Sequence, residues 1–326
     1  MLKRKLGNSG LETGPLAFGG NVFGWTLDET ASHRMLDAFV AEGFGLIDTA
    51  NVYSRWIPGN KGGESETIIG NWLHKSGKRD RVLIATKVGM DMGPDGKGLS
   101  RAHILRSAED SLRRLRTDRI DLYQSHVDDP QTPFEETLDA FATLIRQGKV
   151  RAIGASNHAA DRLEGALSAA RAEGFLPPYE TLQPLYNLYD REEFETTLAP
   201  LCEREGLGVL TYFSLASGFL SGKYRSEKDL AGRARAERVR KYLDARGMRI
   251  LEALDRVANH YASAPATVAL AWLMSRPAVT AAIASATTLD QLHDLVEATR
   301  LTLDENSLEL LDVASAYPAP TIRKAG

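Results

Sequence analysis

The sequence predicts an α/β fold: one closed barrel of eight strand–helix units, spanning residues 1–326 as a single domain. Three observations carry that reading. Short apolar runs alternate evenly with helical runs along the whole chain, with no break in composition. The strand runs are nearly all apolar, as parallel strands covered by helices must be. Ionisable residues close several different strands, and a barrel builds its site from the C-terminal ends of many strands. An open doubly wound sheet would gather its site at one switch point behind a GxGxxG turn. The turn after the first strand, Gly19-Gly20-Asn21-Val22-Phe23-Gly24, lacks that spacing.

Taken in order, Asn8-Ser9-Gly10 is the turn of a hairpin that plugs one end of the barrel. Leu16–Gly19 is the first strand and runs into a loop with Phe23 and Trp25 exposed. Met35, Leu36, Phe39 and Val40 mark a helix over Thr30–Glu42, with Gly43 at its C-cap. Strands Gly45–Asp48, Val82–Lys87, Ile120–His126, Val150–Ser156, Thr181–Leu185, Gly208–Tyr212 and Ala281–Ser285 follow. Helices Glu64–Lys75, Arg101–Leu115, Phe134–Arg146, Ala160–Glu173 and Glu193–Glu205 separate most of them. After the seventh strand comes one irregular, basic segment, Leu215–Ala245, then helices Met248–Tyr261 and Ala266–Met274. A loop longer than about 15 residues inside a compact domain is functional or disordered, and a basic one suits a polyanionic ligand. Helices Leu289–Ala298 and Asp304–Ala314 close the chain.

Composition narrows the function. With 43% hydrophobic and 25% charged residues, the chain has what a globular core needs. A net charge of -3 gives no field for nucleic acid or an anionic membrane surface. One cysteine, Cys202, excludes an internal disulfide and fits a reducing cytosol. No apolar run nears the roughly twenty residues of a membrane helix, and no apolar signal segment follows Met1. The expectation is a cytoplasmic protein.

The strand exits carry the chemistry. Asp48, Lys87 and His126 end three strands, and Tyr53 lies in the loop after the first of them. A phenol with a pKa of about 10 is a poor acid near neutrality unless a cation stabilises its phenolate. Lys87 can supply the cation, Asp48 can hold it charged, and His126 can orient a substrate oxygen. Each residue alone has a plainer explanation: a helix cap, a solvated lysine, a satisfied histidine. Together at neighbouring exits they require four such explanations at once. No serine or cysteine stands beside a base, and no metal-ligand spacing is present, so acyl transfer and metal-assisted hydrolysis have no support and no metal is expected. Proton transfer to a carbonyl oxygen remains. Reduction also needs a hydride, which a nicotinamide or a flavin supplies.

At these residues the sequence resembles the aldo-keto reductases. The resemblance runs from the Asn8 hairpin to about Asp312 through Asp48-Thr49-Ala50-x-x-Tyr53, Ala85-Thr86-Lys87, Asp121-Leu122-Tyr123-Gln124-x-His126, Gly154-x-Ser156-Asn157 and Gln183-Pro184-x-Tyr186-Asn187. Leu215-Ala216-Ser217-Gly218-Phe219-Leu220-Ser221-Gly222-Lys223-Tyr224 is most similar to the branch of bacterial stress-type reductases and potassium-channel β subunits. The resemblance implies a (β/α)8 TIM barrel that binds NADPH across its C-terminal face without a Rossmann domain. It makes Asp48, Tyr53, Lys87 and His126 the catalytic set, with Tyr53 as general acid. It places Ser156, Asn157 and Gln183 on the carboxamide and Tyr212 on the nicotinamide face. Phe213, Ser214, Leu215, Ala216, Ser217 and Gly218, with Lys223 and Arg235, fall in the segment folded over the pyrophosphate; Gly20 and Asn21 also meet the cofactor.

Two departures bear on the cofactor. Phe213-Ser214 replaces Ser-Pro, which alters the path of the covering segment. The last strand exit, from Ser285 through Thr287 to Gln291 and Asp294, has no Lys or Arg for a 2′-phosphate. Thr287 and Gln291 take that role if NADP is used, and NAD stays open. The implied activity is NADPH-dependent reduction of an aldehyde or ketone, with Trp25 and Trp56 joining Tyr53 and His126 around the substrate. The alternatives are an NAD(P)-dependent dehydrogenase of a sugar or alcohol and, ranked lower, a redox-sensing accessory subunit. Nothing in the sequence selects an oligomeric state. The substrate pocket is shaped by loops Asn21–Leu27 and Arg55–Gly62 and by the tail after Ala316.

Overall fold

The computed structural model describes residues 3–317; the rest of the tail expected to shape the pocket lies outside them. Eight parallel strands close a barrel in the order β10-β3-β4-β5-β6-β7-β8-β9. They are β3 (Leu16–Gly19), β4 (Leu46–Asp48), β5 (Leu83–Val88), β6 (Ile120–Ser125), β7 (Val150–Ser156), β8 (Thr181–Gln183), β9 (Gly208–Thr211) and β10 (Val279–Ala284). A two-stranded antiparallel hairpin, β1 (Arg4–Lys5) and β2 (Glu12–Thr13), precedes them.

Side chains alternate faces along each strand. One set (Ala17, Leu46, Ala85, Leu122, Ala152, Leu210, Ala281, Ile283) fills the barrel interior together with Leu6 and Leu11 of the hairpin. The other set, including Phe18, Ile47, Ile84, Tyr123, Ile153 and Val209, packs against the helices. Alanines share the inner set with leucine and isoleucine, because an eight-stranded barrel is just wide enough for such side chains to fill. The hairpin stoppers the N-terminal end. Arg4 donates to the carbonyls of Val279, Thr280 and Met274. A Cβ on Gly208 would lie 2.6 Å from the Gly7 nitrogen, so the plug and β9 touch backbone to backbone.

The expected elements form, with three differences. The exits read as strand at His126, Tyr212 and Ser285 lie one residue past the ladders, and Leu185 is two past its own. Single bonds continue the pairing there, from His126 N to Val88 O at 2.7 Å and from Tyr212 N to Pro184 O at 3.0 Å. Helix Glu193–Glu205 opens as a π-helical turn over Phe194–Leu198 before α-helix Ala199–Glu205. Pro200, which has no N–H and crowds the preceding turn, forces that widening. Phe23, expected at the surface, is buried and stacked on Phe18 at 5.4 Å. Within Leu215–Ala245 the chain forms 3₁₀ turns at Ala216–Ser221 and Glu227–Leu230 and a short helix at Ala236–Arg240. No helix among the described residues is long and apolar enough to cross a membrane.

Candidate active site

The alternation that builds the apolar interior also builds the site. On β4 the inward residue after Leu46 is Asp48; on β5, after Ala85, it is Lys87; on β6, after Leu122, it is Gln124, with His126 beyond the strand end. Gln183 ends β8. Asp48, Lys87, Gln124 and Gln183 therefore form a polar layer above the aliphatic one, and all four are buried.

Lys87 is its centre. Its Nζ donates to Asp48 Oδ2 at 2.7 Å, to the Thr49 carbonyl at 2.8 Å and to the Tyr53 hydroxyl at 3.0 Å. Three donors thus have three acceptors, the condition under which a fully buried ammonium is tolerated. Burial pulls the Lys87 pKa down, but the attraction of Asp48 and Tyr53 outweighs it and leaves it above the ordinary lysine value. Burial pushes the Tyr53 phenol up and Lys87 pulls against that rise, so the hydroxyl carries its proton at neutral pH. His126 is held well below the ordinary imidazole range, first by burial and then by Lys87, and is neutral. Its ring lies 5.9 Å from that of Tyr53, and its Nδ1 is buried without a partner. A neutral imidazole avoids an unpaired buried donor there by carrying its proton on Nε2.

The neighbouring exits are tied to one another. Ser156 Oγ donates to the Gln183 carbonyl at 2.9 Å. Asn157 Nδ2 donates to the His126 carbonyl at 2.9 Å, and its Oδ1 accepts from the Tyr212 hydroxyl at 2.7 Å. On the opposite side, Ser285 Oγ lies 2.7 Å from the Gly19 carbonyl and 2.8 Å from Asn21 Oδ1, while the Gly20 carbonyl accepts from Ser65. Trp25 and Trp56 meet edge to face at 5.6 Å, with Trp56 6.1 Å from Tyr53. Trp56 is 43% exposed, an open wall rather than a packed one.

The segment after β9 is strained and basic. Phe213, Ala216 and Ser217 have φ of 50°, 48° and 59°, in the left-handed region that side chains disfavour. Such backbone persists where its surroundings enforce it, commonly at ligand clamps. Ser214 anchors the segment through its hydroxyl to the Ile283 carbonyl at 2.8 Å, a bond a proline there could not make. Leu215 O accepts from Gly218 N at 2.8 Å. Arg225, Arg240 and Lys241 pair with Asp255, Glu227 and Asp190. Lys223, Arg233, Arg235 and Arg238 make no ion pair among the described residues; Arg235 stacks over Trp25 at 5.3 Å and Arg238 over Phe213 at 5.7 Å. Burial lowers the Lys223 pKa, and Arg235 and Arg233 lower it further. Crowded cations without counter-charges suit an anionic ligand.

The remaining candidates are less connected. Thr287 donates through both its backbone N–H and its hydroxyl to Gln291 Oε1. Asp294 lines a cavity of ≈ 430 Å³ with Thr267, His293, Glu297 and Arg300. Among the described residues no three His, Cys, Asp or Glu side chains are grouped to hold a metal ion. Reading the exits missed Thr49, whose carbonyl receives Lys87, and Gln124. Gln124 was legible as the inward residue between Leu122 and His126.

Comparison with known proteins gives the same answer from outside. The model of the aldo/keto reductase family matches residues 15–316. The chain is 37% identical to an uncharacterized oxidoreductase, YrpG, of Bacillus subtilis over 97% of its own length and 95% of that protein's. It is 34% identical to the protein tas of Escherichia coli, covering 98% of this chain and 100% of that one. It is 32% identical to an Arabidopsis thaliana protein named "Probable voltage-gated potassium channel subunit beta", over 91% of each. Both arms of the expected branch are thus represented, the bacterial proteins and the channel subunits. The chain belongs to the aldo/keto reductase family and is an NAD(P)H-dependent oxidoreductase.

Proposed function

We propose that the protein reduces an aldehyde or ketone with NADPH, and that Tyr53 is the general acid. The observation that carries this reading is the contact of the Lys87 ammonium with both the Tyr53 hydroxyl and Asp48 inside the barrel mouth. When bound, the dinucleotide supplies the hydride. The substrate carbonyl lies between Tyr53 and the Nε2–H of neutral His126, which orients it. As negative charge grows on that oxygen, the Tyr53 proton moves to it. Lys87 stabilises the phenolate left behind, at a site too dry for water to do so. Asp48 keeps Lys87 charged and aimed. Trp25 and Trp56 wall the substrate side, where Trp56 stays open for a substrate to cover.

The residues present fit a phosphorylated dinucleotide. Lys223, Arg233, Arg235 and Arg238 supply uncompensated positive charge, and Gln183, Ser156, Asn157 and Tyr212 stand at the mouth to receive a carboxamide-bearing ring. Thr287 and Gln291 hold no charge for a 2′-phosphate, so the preference for NADPH over NADH rests on the cations of the covering segment. The test is Tyr53→Phe. We expect kcat to fall by about 10² to 10⁴, while NADPH still quenches tryptophan fluorescence more strongly than NADH at equal concentration. An unchanged kcat rules Tyr53 out as the acid.

A further inference from the structure

The run Gln183-Pro184-x-Tyr186-Asn187 ends on a polar residue that the proposed reaction does not use. Asn187 is fully buried, so it does not face the mouth. Both its acceptor sites and both its donors are engaged. Its Oδ1 accepts from the backbone N–H groups of Tyr189 at 2.8 Å and Asp190 at 2.9 Å. That leaves the amide nitrogen only one way to turn. Nδ2 donates to the Phe213 carbonyl at 3.0 Å and to Asp190 Oδ2 at 3.1 Å. Phe213 begins the covering segment with a φ of 50°. For a bulky side chain that backbone is an outlier, and its surroundings must enforce it. The Phe213 carbonyl also accepts from Ala216 N at 2.6 Å, but that bond lies within the segment and moves with it. Asn187 ties the carbonyl to the barrel.

The far end of the segment returns to the same place. Asp190 Oδ2 also accepts from the Tyr242 hydroxyl at 2.7 Å, and Asp190 Oδ1 pairs with Lys241 at 3.3 Å. Tyr242 is itself stacked on Phe219 at 5.4 Å. Asn187 and Asp190 therefore join the start and the return of the covering segment at one buried point. We propose that Asn187 is a positioning residue: it holds Phe213 in its left-handed backbone and, through Asp190, holds Tyr242, so that the covering segment stays closed over a bound dinucleotide and slows its release. This rests on the reductase reading above. The segment is ordered by the barrel behind it, so the ligand need not supply that ordering.

The experiment measures NADPH release in a stopped-flow instrument: excess NADP displaces bound NADPH, whose own nicotinamide fluorescence reports the rate. Asn187→Leu keeps the bulk and removes the donor, and release should quicken about tenfold, the worth of one hydrogen bond. Phe213→Gly takes up the left-handed backbone without strain, so nothing there needs holding. In that background Asn187→Leu should quicken release by about threefold or less. A general loosening of the fold would quicken release by the same factor in both backgrounds; that result overturns the proposal. Tyr242→Phe is the milder variant, keeping the ring on Phe219 and removing only the bond to Asp190. It should quicken release about threefold, and an unchanged rate also overturns the proposal. If wild type binds no NADPH, the reductase reading fails; if it binds and these variants release at the wild-type rate, this proposal alone fails.

Discussion

Three side chains, Asp48, Lys87 and Tyr53, account for most of what the site can do, and each depends on burial. A solvated Lys87 would be an ordinary ammonium and Tyr53 an ordinary phenol. Within the mouth, burial raises the Tyr53 pKa while Lys87 holds the rise in check. The same burial acts on the histidines. His103, His126 and His158 are all held below the ordinary imidazole range, with burial the largest cause in each. The sign follows from linkage. Folding favours the neutral ring, so their stabilisation is complete above the unfolded value of about 6.5 and is lost as pH falls toward the lowered folded values. Urea unfolding at pH 7.5, 6.5 and 5.5 should show stability dropping over the acidic half of that range. His158→Gln should flatten the drop relative to wild type, and parallel curves for the two proteins would refute the assignment. At this scale the sequence was informative where a residue type is rare on an inward strand position. Asp48, Lys87 and His126 stand out for that reason. Gln124 does not, since a glutamine raises no alarm until its neighbours in space are known. Thr49 acts through its backbone, which no side-chain pattern reveals.

The elements explain why these residues meet. β4, β5 and β6 each contribute an aliphatic inward residue (Leu46, Ala85, Leu122) followed by a polar one (Asp48, Lys87, Gln124), so the aliphatic layer supports the polar one. The hairpin completes the lower layer with Leu6 and Leu11, both buried. Leu6→Ala should therefore cost about 2–5 kcal/mol of stability, as deleting a buried leucine does. Because Leu6 lies at the end remote from Lys87, kcat should change less than twofold. Calorimetry and steady-state assays on the same preparation check both halves; a kcat loss without a stability loss would mean the plug shapes the site directly. Strand order and helix positions were readable from alternation and length, because each strand is buried on both faces. The π-turn before Ala199 and the inward turn of Phe23 were not. The first follows from Pro200 standing inside a run that otherwise reads as one α-helix, and the second from packing of Phe23 on Phe18, which local composition at Gly20–Gly24 does not show. The covering segment Leu215–Ala245 was readable as basic and irregular. Which of its cations are paired could be decided only by where Asp190, Glu227 and Asp255 stand.

At the scale of the whole molecule, a closed barrel makes one mouth where the exits of β4, β5, β6, β7, β8 and β9 converge, and the basic segment lies over that face. The plug seals the other end, so in the proposed reading cofactor, substrate and proton all meet at one face. Such an arrangement predicts that the buried acid and its lysine fail as a unit and not as separate contributors. The direct measurement is a double-mutant cycle on kcat/KM with Tyr53→Phe and Lys87→Met. If the lysine acts through the phenol, the double variant is no slower than Tyr53→Phe alone, within about threefold. If the two losses multiply, Lys87 does its work independently of Tyr53, and the account of the site given above is contradicted.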